Sequence, residues 1–255
     1  MKRLTKLSAT IFLFGLFIIG AVILRFYAVT DVNKRRVGAW YATKMCRLAI
    51  KVFGLEVTSI NEAYLSTTGK LILSNHMSYL DIITYASIKP SIFISSVEIE
   101  KTPFLGFIAK LGGTYFVERR NPKLIKLEIG KMSELIEQGF NVVLFPEGTS
   151  TNGSKVLPFR SSLLASASVS TGVEVIPACI KYLTIDNEPF SSINCDYVCW
   201  YDDMSFAPHL WNFLSTDKVE SKTTFFKPIN SASSDRKTIS NKAYELISAE
   251  YFHVA

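Results

Sequence analysis

The sequence predicts an α/β fold with a mixed, mostly parallel sheet flanked by helices, preceded by an N-terminal membrane-anchoring helical segment. Short apolar runs alternate with helical patterns after about residue 55, and a long uncharged run precedes them. The chain has 255 residues, of which 48% are hydrophobic. This length fits one α/β domain of ordinary size with a small appendage. We therefore expect an anchoring helical region over residues 1–54 and the main domain over residues 55–255.

The N-terminal run carries no charge between Lys6 and Arg25. A helix needs roughly 20 apolar residues to cross the hydrocarbon core of a bilayer, and this run is just long enough. A cleaved signal peptide has a shorter apolar region that ends at small residues, so an uncleaved anchor is favoured. Basic residues are more numerous after the run, which places the main domain in the cytoplasm. Because basic residues lie on both sides, a helix that enters one leaflet and returns remains an alternative.

The charge balance points to a lipid partner. Lysine and arginine exceed aspartate and glutamate by 28 − 22 = 6, and a basic surface suits nucleic acid, anionic head groups or a phosphate-bearing substrate. No nucleic-acid motif occurs, so the lipid bilayer is the expected partner and nucleic acid is not. Residues 37–54 mix apolar and basic side chains, which fits a helix on the membrane surface or a core helix. Four cysteines, without zinc or redox spacing, are expected to be reduced, buried thiols.

The main domain alternates strands and helices. Short apolar runs predict strands over residues 71–75, 92–95, 114–117, 141–145 and 173–178. Helical patterns are predicted over residues 78–87, 103–111, 122–138, 161–170 and 235–252. Ser78 is the expected N-cap of the first of these helices, and Gly139 is expected to stop the third.

His76 and Asp81 form the most informative polar pair. His76 directly follows a predicted strand, and Asp81 falls in the first turn of the next predicted helix. A carboxylate beside a histidine fixes its tautomer and stabilises its protonated form, so the pair can act as a general base on an alcohol. The alternative is structural, because Ser78 and Asp81 also fit a capping box.

Three further segments lie at predicted strands. Residues 145–150 (Phe-Pro-Glu-Gly-Thr-Ser) place a carboxylate and a glycine where open α/β sheets bind ligands. Residues 113–120 end in two arginines, and arginine binds phosphate bidentately. Residues 175–178 are apolar and fit the core of any fold. Taken singly, these segments also fit a surface turn, a solvated basic edge and a core strand.

In this order, the four segments resemble the glycerolipid acyltransferase family, which includes 1-acylglycerol-3-phosphate acyltransferases and related lysolipid acyltransferases. The resemblance covers residues 70–180 closely, and the His-x4-Asp block of residues 76–81 is specific together with the Phe-Pro-Glu-Gly-Thr block of residues 145–149. It implies an acyltransferase catalytic domain that makes phosphatidic acid from 1-acylglycerol-3-phosphate in phospholipid biosynthesis. The alternative acceptor is a lyso-ornithine lipid or another lysophospholipid. A non-catalytic membrane scaffold or lipid-transfer module is a distant alternative.

The resemblance also implies a role for each matched residue. His76 deprotonates the acceptor hydroxyl, Asp81 orients His76, and the oxygen attacks the thioester of acyl-CoA or acyl-carrier protein without a covalent acyl-enzyme. These thioesters are co-substrates, and no metal or other cofactor is required. Pro177 matches a block linked to the acyl side. The residues linked to the acceptor are Gly113, Phe116, Arg119, Glu147, Gly148 and Thr149.

The sequence departs from the family pattern at two places. Ser150 stands where many phosphatidic-acid-forming members have arginine, and Ser96 and Val97 occupy a neighbourhood where many have lysine. Two cations that can hold a phosphate are therefore missing. Residues 149–160 and 200–211 look more like members that act on lyso-ornithine lipids or other lysophospholipids. His209 and His253 are expected to be structural.

Overall fold

The computed structural model describes residues 2–67, 69–118, 121–160, 162–164 and 173–253, and these ranges contain eight α-helices and nine strands. The helices are α1 (Lys2–Tyr27), α2 (Asp31–Phe53), α3 (Tyr79–Ile88), α4 (Val97–Glu100), α5 (Leu105–Leu111), α6 (Pro122–Glu137), α7 (Phe206–Phe213) and α8 (Arg236–Phe252). The strands are β1 (Leu55–Ile60), β2 (Lys70–Ser74), β3 (Ile92–Ser96), β4 (Tyr115–Val117), β5 (Val142–Leu144), β6 (Glu174–Ile185), β7 (Glu188–Pro189), β8 (Val219–Phe225) and β9 (Ile229–Asn230).

The strands form one mixed sheet in the order β1-β8-β6-β2-β5-β3-β4, and β7 and β9 also pair with β6. The pairs from β6 through β2, β5 and β3 to β4 are parallel, as is the β1–β8 pair, whereas β8 runs antiparallel to β6. All residues of β2 and β5 are buried, because helices cover both faces of these central strands. The predicted mixed, mostly parallel sheet is confirmed.

Two apolar clusters fill the two faces of the sheet. The alternation of side chains along β2 places Ile72 in one cluster, and Leu71 and Leu73 in the other. The first cluster includes side chains of α3, and the second includes those of α6 and α8. The polar residues that follow β2 and β5 therefore emerge between two well-packed layers.

The N-terminal helices α1 and α2 form an antiparallel hairpin against the main domain. Within it, the Tyr41 hydroxyl donates to the carbonyl of Leu16 at 3.0 Å, and the rings of Phe17 and Tyr41 stack. Helix α1 is long and apolar enough to cross a membrane. Phe53 at the end of α2 belongs to the same apolar cluster as α3, so the hairpin and the main domain share a core. The division at residue 54 stays a prediction.

Several elements differ from the sequence prediction. The predicted strand 173–178 continues to Ile185, and the predicted helix 37–54 begins earlier, at Asp31. The elements β1, β7, β8, β9, α4 and α7 were not predicted, since their sequences are short or strongly polar. The predicted helix 103–111 begins only at Leu105, because Phe104 has a positive φ of 68° that a right-handed helix does not allow. The predicted helix 161–170 lies outside the described residues except for 162–164. The described cysteines are free and mostly buried, as expected.

We expect Gly54→Ala to destabilise the protein and Gly130→Ala to leave it unchanged or slightly more stable. Gly54 ends α2 with φ of 74°, and a Cβ there would collide with the carbonyl oxygen of Asp217. The cost should be at least about 1 kcal/mol. Gly130 lies within α6 with open space around its Cα, and alanine favours a helix by about 1 kcal/mol. Thermal unfolding in detergent measures both, and equal effects would contradict the assigned role of Gly54.

Candidate active site

The connection between β2 and α3 is built around Ser78 and Asp81. The Ser78 hydroxyl accepts a hydrogen bond from the Leu80 amide at 3.3 Å, and the Asp81 carboxylate accepts one from the Ser78 amide at 2.9 Å. This is the predicted capping box, which satisfies amides that the first turn of a helix leaves without partners. The helix start therefore fixes the position of the Asp81 carboxylate.

The same carboxylate contacts His76. Asp81 Oδ2 lies 2.8 Å from His76 Nδ1, and the side chain of Asp81 is fully buried while that of His76 is 19% exposed. A carboxylate at Nδ1 favours the tautomer with its proton there, so Nε2 is the nitrogen that can accept a proton from a substrate. The ring of Phe145 stacks on the imidazole at a centroid distance of 4.0 Å and fixes its plane. The capping and base interpretations of Asp81 are thus compatible.

Glu147, which follows β5, contacts the segment that follows β2. Its Oε1 accepts from the His76 amide at 2.8 Å, and its Oε2 accepts from the Leu157 amide at 2.7 Å. Gly148 follows with φ of 77°, which the tight turn after β5 requires. Glu147 is 2% exposed, and burial raises its pKa to about 7, although both backbone hydrogen bonds oppose this rise. Glu147 thus holds the backbone of His76 in place.

Three contacts that the sequence did not predict complete the surroundings of His76. The hydroxyl of Tyr182 donates to Asp81 Oδ1 at 2.7 Å. The amide of Trp200 donates to the carbonyl of Met77 at 2.8 Å, and the Ser150 hydroxyl donates to the Trp200 carbonyl at 2.5 Å. These partners come from β6 and from the segment before α7, far along the chain. For Tyr182, the signal in the sequence is the alternation of side chains along β6, which places Tyr182 on the same face as the apolar Ile180.

An apolar cavity of about 300 Å³ lies beside His76. Helices α1, α2, α3 and α5 and strand β3 contribute to its lining. Its lining includes Phe14, Phe17, Met45, Phe53, Tyr79, Ile83, Phe93, Ile108, Phe145 and Trp200, together with His76 itself. A site of this volume and composition suits an apolar ligand, with His76 as a polar group at its wall.

Gly113, Phe116 and Pro177 belong to other segments of the fold than His76. A Cβ at Gly113 would lie 3.1 Å from the carbonyl oxygen of Arg35, so this glycine allows β4 to approach α2 closely. Phe116 pairs with Ser95, which lines the cavity, whereas Pro177 is buried in β6 and is not among the described lining residues.

The structure therefore brings His76, Asp81, Glu147 and Gly148 together, and places Thr149 on the exposed turn that follows. Arg119 lies outside the described residues. The binding roles of Gly113, Phe116, Arg119, Glu147, Gly148, Thr149 and Pro177 stay predictions.

These features define an α/β fold in which a histidine–aspartate pair lies at the wall of an apolar cavity. Residues 56–181 match the family model described as Acyltransferase. The chain is 30% identical to the 1-acyl-sn-glycerol-3-phosphate acyltransferase of Neisseria gonorrhoeae over 182 residues, covering 71% of this chain and 69% of that protein. It is also 30% identical to the lyso-ornithine lipid O-acyltransferase of Rhodobacter capsulatus, covering 72% of this chain and 65% of that protein, slightly under two thirds.

The fold is also known from a solved structure. The crystal structure of the 1-acyl-sn-glycerophosphate (LPA) acyltransferase PlsC of Thermotoga maritima superposes with a TM-score of 0.68. The match covers 98% of this chain and 96% of that chain at 17% identity, so it concerns the fold alone. With the family model and the Neisseria relative, the result is plain: the chain belongs to the acyltransferase family.

We expect Glu147→Gln to remove a specific pH dependence of stability. A carboxyl whose pKa rises from 4.5 to about 7 on folding binds more protons in the folded state, so stability falls as the pH rises through this window. The wild type should therefore lose up to about 3 kcal/mol relative to Glu147→Gln between pH 4.5 and pH 7. Unfolding of both proteins in the same detergent measures the difference, in which other titrating groups cancel. The stability of the wild type minus that of Glu147→Gln should fall as the pH rises, so a value that stays constant or rises with pH would contradict a raised pKa.

Proposed function

We propose that this acyltransferase transfers a fatty acyl group from a thioester to the hydroxyl of a lysolipid in the membrane. One observation carries the proposal: His76 has Nδ1 bound to the buried Asp81 and lines an apolar cavity. A general base for an alcohol and space for an acyl chain are the two requirements of this reaction. The family to which the chain belongs is described as Acyltransferase, which agrees with this chemistry.

The proposed reaction is a direct transfer. Nε2 of His76 takes the proton of the acceptor hydroxyl while the oxygen attacks the thioester carbonyl carbon. Asp81 stabilises the imidazolium that forms. The tetrahedral intermediate then breaks its carbon–sulfur bond, leaving the new ester, and the thiolate takes the proton back from His76. The proposed reaction therefore requires no metal, no cofactor and no covalent acyl-enzyme.

The donor is a fatty acyl thioester of coenzyme A or of acyl-carrier protein. Its acyl chain would occupy the cavity, because the walls from Phe14, Met45 and Phe93 offer van der Waals contact and few polar groups. The thioester carbon would then lie at the His76 end of the cavity. Helix α1 contributes to this wall, so the proposed division into an anchor of residues 1–54 and a catalytic domain of residues 55–255 separates two parts of one binding site.

Membrane attachment is assigned to α1, which we place in the plane of one leaflet. Its outward face exposes large apolar side chains, including Phe12 at 69% and Phe26 at 85%. Both of its ends bind the main domain: Lys6 Nζ donates to the carbonyl of Thr216 at 2.6 Å, and Arg25 Nη1 donates to the carbonyl of Lys110 at 3.1 Å. A spanning helix would separate these ends by the roughly 30 Å hydrocarbon core. Basic residues at both ends favour the cytoplasmic face.

The first candidate for the acceptor is 1-acylglycerol-3-phosphate, which would give phosphatidic acid in phospholipid biosynthesis. The Neisseria relative is named for this substrate, and the sequence places Arg119 and Arg120 after β4, where they would suit a phosphate. The net charge of +6 also favours an anionic acceptor.

The second candidate is a lyso-ornithine lipid, and one contact favours it. Ser150 replaces the arginine of many phosphatidic-acid-forming members, and its hydroxyl donates to the Trp200 carbonyl instead of facing a ligand. Trp200 in turn lines the cavity, so this segment shapes the site beside His76. The Rhodobacter relative is named for this acceptor.

We expect His76→Ala to abolish acyl transfer, because the substitution removes the imidazole that takes the proton, while His253→Ala keeps full activity. His253 is exposed and is not among the described residues that line the cavity, so it controls for the loss of a histidine. Release of thiol from palmitoyl-coenzyme A by membrane fractions containing the full chain measures the activity. Retained turnover in His76→Ala would remove His76 from the proposed role.

The same assay with two acceptors separates the candidates. Wild-type membranes receive palmitoyl-coenzyme A with either 1-acylglycerol-3-phosphate or lyso-ornithine lipid, and kcat/KM is compared. Preference for the phosphate acceptor supports the first candidate, and the reverse preference supports the second. If the thioester is consumed with neither of the two acceptors, a non-catalytic scaffold is favoured.

We expect both ends of α1 to lie on the same side of the membrane. Single cysteines replacing Lys2 and Val29 would mark the two ends, and Ile193→Cys, which lies on a 93% exposed side chain of the main domain, is the reference. A membrane-impermeant maleimide should label all three positions in inverted vesicles and none in right-side-out vesicles. Labelling of the two ends from opposite faces would show a spanning helix.

A further inference from the structure

Strand β6 extends beyond the strand next to it. In the parallel pair, the last residue of β2, Ser74, lies opposite Ala178, whereas β6 continues to Ile185. The extension runs past the carboxyl end of β2, which is the side of the sheet where His76 lies. Ile180 and Tyr182 share the apolar cluster of α3, so the side chain of Tyr182 faces the connection that carries the His76–Asp81 pair.

The hydroxyl of Tyr182 and the imidazole of His76 bind different oxygens of Asp81. Tyr182 donates to Oδ1 at 2.7 Å, whereas Oδ2 receives His76 Nδ1 and the amides of Met77 and Ser78. Both Asp81 and Tyr182 are buried, at 0% and 3% exposure. Without Tyr182, Oδ1 would lose a donor that water cannot readily replace in this core, and an unpaired buried carboxylate oxygen is costly.

We propose that Tyr182 is a positioning residue that fixes the Asp81 carboxylate and moderates its support of protonated His76. The inference rests on the proposed function of His76 as a base. Tyr182 touches neither the cavity nor, in the proposed reaction, the substrate; it acts through Asp81. A neutral donor at Oδ1 spreads the negative charge of the carboxylate, which weakens its attraction for the imidazolium and lets His76 return its proton to the leaving thiolate.

Several titratable groups surround Asp81 and Tyr182. Among the described residues they are His76, Tyr79, Tyr85, Glu147, Cys199 and Tyr251. Burial raises the pKa of the tyrosines and of the cysteine, so they stay protonated at neutral pH and Tyr182 remains a donor. Burial raises the pKa of Glu147 to about 7, so Glu147 also titrates near neutrality. Its contribution is identified by repeating the titration in Glu147→Gln.

The test compares Tyr182→Phe with Tyr85→Phe. Tyr85 is a matched control, since it is 2% exposed and its hydroxyl also donates at 2.7 Å, but to Ser74 Oγ and not to Asp81. The full chain in detergent micelles, with labelled histidine, is titrated by NMR. The chain has three histidines, and the signal absent from His76→Ala identifies His76. In parallel, kcat and KM are measured with palmitoyl-coenzyme A and the acceptor that wild type uses.

We expect Tyr182→Phe to raise the titration midpoint of His76 by about half a pH unit, and to lower kcat about tenfold with KM within about twofold. Tyr85→Phe should change neither quantity. Incorporation of 3-fluorotyrosine at position 182 preserves the shape of the side chain and strengthens its donor, so the midpoint should move in the opposite direction. This second variant tests the proposal even if Tyr182→Phe does not fold.

Two outcomes would overturn the inference. One is a midpoint in Tyr182→Phe that equals that in Tyr85→Phe, and the other is a midpoint that does not respond to fluorination. Activity that survives in His76→Ala would instead refute the proposed base, while the NMR titration would still report whether Tyr182 acts on the His76–Asp81 pair. The failures of the two proposals are therefore distinguishable.

Discussion

The active site depends on the burial of one charge. Asp81 is fully buried, and a buried carboxylate is tolerated only when hydrogen bonds satisfy its oxygens. Donors come from His76, from the amides of Met77 and Ser78, and from Tyr182. The position at the start of α3 adds the favourable field of the helix N-terminus. The side chain that caps the helix is therefore also the one that binds His76 Nδ1, and the same contacts stabilise both arrangements.

A second buried carboxylate, that of Glu147, joins the segments that follow β2 and β5. The parallel register pairs Leu73 of β2 with Leu144 of β5, so the residues that follow these strands lie side by side. Glu147 uses this adjacency by accepting from the amide of His76 on one side and that of Leu157 on the other. Two segments about 70 positions apart thus become one rigid unit. This explains why the His-x4-Asp and Phe-Pro-Glu-Gly-Thr blocks are informative as a pair.

The sequence predicted the central strands and the His76–Asp81 pair because their information is local. Apolar runs of four or five residues mark β2, β3 and β5, and the capping box needs only residues 78–81. Strand β8 was missed because Glu220, Lys222 and its threonines and serine interrupt any apolar run. Tyr182 was missed because its partner lies 101 positions away. Such contacts depend on strand order and register, which a single sequence does not specify.

Helix α1 is a second case in which the sequence alone does not specify the arrangement. Its uncharged run satisfies two demands at once, because Phe14 and Phe17 line the cavity while Phe12 and Ile19 are exposed. A helix that is apolar all round is normally buried in a core or in lipid, and the proposed placement of α1 combines the two environments. Length and composition are equal for a spanning and an in-plane helix, so they cannot separate the two. The proposed in-plane placement rests instead on contacts at the helix ends, where Lys6 and Arg25 donate to carbonyls of the main domain. An acyl chain in the proposed site would then lie against the same helix that meets the lipid, so the bilayer is directly adjacent to the reaction.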